Sequence, residues 1–206
     1  MIESFKTVLK DCGPVEIKEK GSKFISYIYH VESEKDFEEK IKTLKKKYYD
    51  ATHICYAFII GKGSRETYRF NDDGEPSKTA GYPIYLEIKR MGLADVAVFS
   101  VRYFGGTKLG TGGLVRAYSA SARAVLEIAW ITEIKIKKNI SGEVPFDLVG
   151  MVMQHIDIYQ DSELASQTYN EKGAVISIRI PIDSAEKFIS EIRKKSSGRV
   201  EFTDFS

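Results

Sequence analysis

The sequence predicts an α+β protein of two domains, residues 1–131 and 132–206. Three observations predict it. Runs that alternate apolar and polar residues with period two mark half-exposed strands, as at residues 133–140 and 174–182. Between such runs lie stretches whose apolar residues recur at helical spacing, as at residues 37–48 and 185–195. The hydrophobic fraction is 43%, with 12% aromatic residues, which is enough for buried cores.

From residue 133 the pattern is regular. Residues 133–140 read as one strand. Residues 144–155 read as a helix that opens on Pro145, with Phe146, Val149, Met153, Leu148 and Val152 at helical spacings. Residues 161–169 and 174–182 read as two strands about a turn at 171–173. Asp183 and Ser184 are candidate caps for a helix carrying Phe188, Ile189 and Ile192 on one face. Residues 199–205 close as a strand. The order βαββαβ is that of a ferredoxin-like domain.

The first half is less regular. Residues 15–19 and 23–31 read as strands around Gly21. Ser33, with Asp36 three residues later, resembles a capping box and opens a helix whose stripe is Phe37, Ile41, Leu44 and Tyr48. Residues 53–60 and 66–70 read as a strand pair. A loop rich in glycine, proline and acid follows from Asn71 to Pro83, and Pro83 is placed to start a short helix ending near Gly92. Residues 95–104 form a strand. A last helix is expected from about Leu114 to Trp130, burying Leu114, Ala117, Tyr118, Ala122, Val125, Leu126 and Ala129 and exposing Arg116, Arg123 and Glu127.

Bulk chemistry excludes several classes. The net charge of +2 gives no general attraction to nucleic acid or membrane. Residues 1–131 hold 21 Lys+Arg against 17 Asp+Glu, so any anion binding has to come from local geometry. The two cysteines, Cys12 and Cys55, form no C-x-x-C pair, which points to a reducing cytoplasm rather than a disulfide framework. The start of the chain carries charges throughout and has no signal-peptide core. The longest apolar run, residues 54–60, is far too short to cross a bilayer, so no membrane partner is expected.

Two loops carry the candidate chemistry. The first runs from Arg102 to Tyr118 and holds five of the 16 glycines: Gly105, Gly106, Gly110, Gly112 and Gly113. It lies between a strand and a helix start, where backbone N–H groups lack partners and the helix dipole is positive. Lys108, Arg102, Arg116 and Arg123 add cations, and Tyr103 and Phe104 add flat rings. The known nucleotide templates fail. Gly105 to Gly110 has the P-loop spacing, but Thr111 stands where lysine is required. Val115 breaks the dinucleotide pattern after Gly110 and Gly112. No cofactor is therefore expected. The loop is read either as a looser anion site, with RNA phosphate favoured, or as turns and close packing.

The second loop sets Asp72, Asp73 and Glu75 within four positions, with His53 as a possible neighbour. A hard-cation site is one reading. The spacing is not that of an EF-hand, and ion pairing with Arg69, Arg102 or Arg116 is the favoured reading, so no metal is expected. No hydrolase or zinc-protease motif surrounds His30, His53 or His155.

Residues 53–58 (HICYAF), 72–83 (DDGEPSKTAGYP) and 101–118 (VRYFGGTKLGTGGLVRAY) closely resemble the YigZ/IMPACT family, also called UPF0029. The resemblance covers the first domain nearly end to end, and the tail is similar to the small domain that bacterial members add. It implies an N-terminal βαβ domain related to a small-subunit ribosomal protein and to domain IV of elongation factor G. It also implies translation-regulating relatives in eukaryotes. The family usually has glycine where Lys78 stands here.

The leading functional expectation is a non-enzymatic, cytoplasmic protein that binds RNA or the ribosome. One alternative is an enzyme or ligand-binding protein for a small phosphorylated or carboxylated molecule. That alternative expects Asp73, Glu75, Arg102 and Lys108 around one concavity. A third is a regulator that binds a protein partner.

Overall fold

The computed structural model describes residues 3–63 and 66–204. The chain divides into two compact units, one of residues 5–134 and one of residues 135–206 with the chain's start up to Ser4. Helices and sheets are mixed in both.

The larger unit is built on a five-stranded sheet. Its strands are β2 (Cys12–Glu19), β3 (Ser22–His30), β4 (His53–Ile60), β5 (Thr67–Asn71) and β6 (Val96–Tyr103). They lie in the order β2-β3-β6-β4-β5, and all neighbours are antiparallel. Helix α1 (Glu34–Lys47) connects β3 to β4. Both strands run against β6, so they are parallel to each other with β6 between them. β3–α1–β4 is thus a βαβ crossover split by one strand. A separate pair joins β1 (Ser4–Val8) to β7 (Ile131–Lys135).

The sheet is covered on both faces. α1 begins as its sequence dictates. The Ser33 hydroxyl accepts the Asp36 N–H at 3.1 Å, while Asp36 reaches back to the Glu32 N–H rather than closing a full capping box on Ser33. Phe37, Ile41 and Leu44 are buried against Ile25, Tyr27, Phe58 and Phe99 on one face. On the other face, α2 (Gly81–Arg90) and α3 (Gly110–Glu127) pack over Phe24, Ile28, Cys55, Ala57 and Val98. Along β6 the alternation is plain: Ala97, Phe99 and Val101 face α1, and Val96 and Val98 face the other way. The buried Ser100 and Ser121 hydroxyls, 2.8 Å apart, tie β6 to α3. Arg123 of α3 and Arg90 clamp the Glu87 carboxylate of α2. Burial pushes that carboxyl up, and the two guanidinium groups outweigh it and hold it below its ordinary range.

The smaller unit runs β8 (Lys137–Pro145), α4 (Val149–Ile158), β9 (Glu163–Tyr169), β10 (Gly173–Pro181), α5 (Ile182–Lys195) and β11 (Phe202–Asp204). The sheet order is β11-β8-β10-β9, with the helices burying Val152, Ile156, Phe188 and Ile192 on Ile140, Ile176, Ile178 and Ile180. This is the βαββαβ order read from the sequence.

Several boundaries differ from the sequence reading. Residues 133–140 are not one strand: β7 ends at Lys135 and β8 begins at Lys137, in different sheets. Pro145 does not start a helix. It ends β8 opposite Gly173, a short turn of 3₁₀ helix follows at Phe146–Leu148, and α4 begins at Val149. Asp183 and Ser184 do not cap α5, because Pro181 takes that position and both lie in the first turn. α2 starts at Gly81, two residues before Pro83. α3 starts at Gly110, four residues before Leu114, and ends at Glu127. The second half of the glycine run is therefore helix. Ala129 lies beyond α3 and is only partly buried.

Candidate functional site: a cleft between the acidic and glycine-rich loops

The acidic loop is built by its own carboxylates. Asp72 accepts the N–H groups of Lys78, Ala80 and Gly81 at 2.7–2.9 Å, so it closes the loop and caps the start of α2. Asp73 accepts the Ile54 N–H at 2.7 Å and thus pins the loop to β4. Lys78 sits at φ 60°. That left-handed conformation suits glycine, and it costs a residue with a side chain about 1–2 kcal/mol.

Only Glu75 turns inward. Its side chain is 4% exposed and meets Arg102 Nη1 at 2.6 Å. The Tyr118 O–H donates to the same oxygen at 2.8 Å. Arg102 is 5% exposed and points from β6 toward the α3 face, where its other nitrogen donates to the Ser22 hydroxyl at 3.3 Å. Ser22 also accepts the Gly105 N–H at 3.2 Å. Glu75, Arg102, Tyr118 and Ser22 therefore join the acidic loop, β6, α3 and the start of β3 in one buried network. Among the described residues Arg102 Nε has no partner, a cost of about 1–3 kcal/mol unless something else meets it.

The neighbouring groups are held by short polar contacts. His53 Nδ1 lies 2.7 Å from the Asp73 carbonyl, so it carries the proton and donates. Its Nε2 is 3.9 Å from Glu75, an ion-pair distance if the ring is charged and too long for a hydrogen bond. Cys55 Sγ lies 3.0 Å from the Asp72 carbonyl and 3.3 Å from the Tyr118 oxygen. Burial pushes the Cys55 thiol and the Tyr118 phenol well above their ordinary ranges, with Glu75 adding to both. Cys55 is thus a neutral thiol and a poor nucleophile. Among the described residues, no cluster of His, Cys, Asp or Glu could hold a metal ion.

Above the network opens a cleft of ≈ 360 Å³ lined by Glu75, Pro76, Arg102, Phe104, Lys108, Leu109, Gly110, Thr111 and Leu114. The candidate residues divide around it. Glu75, Arg102, Lys108 and Gly110 line the wall, whereas Asp73 serves β4 instead. Phe104 is 47% exposed, and the Arg102 guanidinium lies 5.6 Å from its ring centre. Tyr103 alternates to the α1 face of the sheet and donates to Asp50 at 2.7 Å. That bond, with some burial, raises its phenol to about 12. Arg123 is tied to Glu87. Arg69 pairs with Glu34 rather than with the acidic loop. Among the described residues Lys108 and Arg116 make no ion pair.

The glycines divide too. A Cβ on Gly105 would fall 1.8 Å from the Gly21 carbonyl carbon, so that position is dictated by close packing. Gly110, at φ 69°, makes the turn into α3, and Gly112 and Gly113 lie in its first turn. Leu109 offers α3 no side-chain cap, and no acidic residue stands in that turn. The N–H groups that open α3 therefore lack a side-chain cap, and Gly110 and Thr111 of this turn line the cleft.

The family described as "Impact N-terminal domain" matches residues 20–126, which include the whole cleft. The chain belongs to the IMPACT family. The IMPACT family member YvyE of Bacillus subtilis (strain 168) is 34% identical over 180 residues, 84% of this chain and 82% of the relative. The IMPACT family member YigZ of Escherichia coli (strain K12) is 34% identical over 117 residues, 55% of this chain and 57% of the relative. A solved structure described as that of a hypothetical protein aligns over 100% of this chain and 99% of its own. Its TM-score is 0.74 and its sequence identity 22%, a likeness of fold. No described helix of this IMPACT-family chain is long and apolar enough to cross a membrane.

Sequence reasoning missed Ser22 and the hydroxyl of Tyr118. Tyr118 was legible as a core residue of α3, but periodicity sees its ring and not its oxygen. Ser22 carried no local signal, because its role depends on Gly21 meeting Gly105 across the fold.

Proposed function

We propose that this IMPACT-family protein is a non-enzymatic cytoplasmic binding protein that engages RNA or the ribosome, with a role linked to translation regulation. The observation that carries the reading is the convergence of an uncapped helix start, unpaired Lys108 and exposed Phe104 on one cleft. Helix N-termini and free cations favour phosphate oxygens. An exposed aromatic ring offers base stacking of about 1–3 kcal/mol. The translation link rests on the family alone. A binding role fits the chemistry better than nucleophilic catalysis, since Cys55 is a buried thiol and the His53 Nδ1 proton is committed to a carbonyl.

The test is a fluorescence titration of the full chain with short single-stranded RNA over a salt series. The logarithm of affinity is expected to fall with the logarithm of salt, by about 0.7 per phosphate neutralised. Lys108→Ala and Arg116→Ala are each expected to weaken binding several-fold and to flatten that slope. Salt-independent binding, or indifference to both substitutions, sinks the reading.

A second reading has its own observation: Glu75, Arg102 and Lys108 line a single cleft of ≈ 360 Å³. That size suits a small phosphorylated or carboxylated ligand.

A further inference from the structure

The cleft has a polarity of its own. At one side stands the start of α3, with its unsatisfied N–H groups and Lys108 beside them. Arg102 forms part of the same wall and holds a buried, unpartnered Nε–H. These donors call for an anion. Pro76, Leu109, Leu114 and the Phe104 ring form apolar walls that suit a flat body. On the floor, Glu75 Oε1 is taken by Arg102 and Tyr118, whereas Oε2 has no partner among the described residues. A free carboxylate oxygen accepts a hydroxyl or amine proton and repels a second anion. The volume suits one small ligand rather than a run of nucleotides.

We propose that the cleft takes a nucleoside 5′-monophosphate, presented as the 5′-terminal nucleotide of an RNA strand. The phosphate sits on the Gly110–Gly112 amides with Lys108 and the Arg102 Nε–H. The base lies against Phe104, and a ribose hydroxyl donates to Glu75 Oε2. This rests on the RNA reading above and adds a requirement for the strand end.

The experiment compares the full chain's affinity for two short RNA oligonucleotides of one sequence, one with a 5′-monophosphate and one with a 5′-hydroxyl, both labelled at the 3′ end. Free AMP and inorganic phosphate are titrated alongside by calorimetry. The 5′-phosphorylated strand is expected to bind about tenfold tighter or better, a difference of about 1.4 kcal/mol. Lys108→Ala, at an exposed position that leaves the core intact, is expected to erase most of that difference. Arg179→Ala, on the sheet of the smaller unit, is expected to preserve it. AMP is expected to bind more tightly than inorganic phosphate. Equal binding of both strands overturns the strand-end inference and leaves the RNA reading standing. Binding of AMP with no binding of either strand overturns the RNA reading and the strand end together, and leaves a free nucleotide as the ligand. Inorganic phosphate binding as well as AMP overturns the base and ribose contacts.

Discussion

Replacing Glu75 with Ala is expected to destabilise the larger unit by about 3–5 kcal/mol, the cost of leaving a buried charge without its partner. Arg102 is 5% exposed and meets Glu75 at 2.6 Å, so water cannot readily take the carboxylate's place. Tyr118 loses its acceptor in the same step. The contrast with a surface pair decides the size. Lys18 and Glu16 sit 3.9 Å apart with side chains 75% and 45% exposed, and such pairs contribute about 0–1 kcal/mol. The double substitution Glu75→Ala with Arg102→Met should recover most of the loss, because it removes the stranded charge. Native-state hydrogen exchange of the β6 amides in each variant gives the numbers for this unit alone. A loss below about 1 kcal/mol for Glu75→Ala would mean that the loop opens and the guanidinium is already solvated.

Gly105→Ala should be the most damaging single change in the glycine-rich loop, at about 3 kcal/mol or more. The added methyl would lie 1.8 Å from the carbonyl carbon of Gly21 and 2.0 Å from its oxygen, so the backbone between β2 and β3 or the backbone after β6 would have to move. Separation would break the Gly105 N–H bond to Ser22 and loosen the support that Ser22 gives Arg102. RNA affinity should fall with it. Gly106→Ala is the control: its methyl meets nothing within 4 Å, and only the left-handed φ of 86° opposes it, at about 1–2 kcal/mol. Thermal unfolding and RNA titration of both variants separate packing from strain. Equal effects would show that the contact with Gly21 is not what requires glycine at 105.

What the sequence made legible follows from where each signal resides. α1 was readable because its cap, Ser33, and its stripe of Phe37, Ile41 and Leu44 are local. β10 was readable because the buried Ile176, Ile178 and Ile180 alternate with the polar Ser177 and Arg179. The start of α3 was not. Three glycines in its first turn are poor helix formers, and the packing of Leu114, Ala117 and Tyr118 overrides their propensity. The break at Ile136 was hidden because period two continues through β7 and β8 although they join different sheets. At the cleft, residue types announced the chemistry but not the pairing. Asp72, Asp73 and Glu75 look alike in sequence. Two of them tie up backbone N–H groups, and only Glu75 reaches Arg102, because β4 and β6 lie side by side beneath the loop.

The central claim is that RNA is held at the start of α3, over the Arg102–Glu75 pair. The most direct measurement is a ¹H–¹⁵N correlation spectrum of the full chain during titration with short RNA. It resolves both the backbone amides and the Arg102 Nε–H. The account predicts that Gly110, Thr111, Gly112 and the Arg102 Nε–H shift together, in proportion to bound RNA. Shifts confined to other surfaces, with these four signals unmoved at saturation, would contradict it.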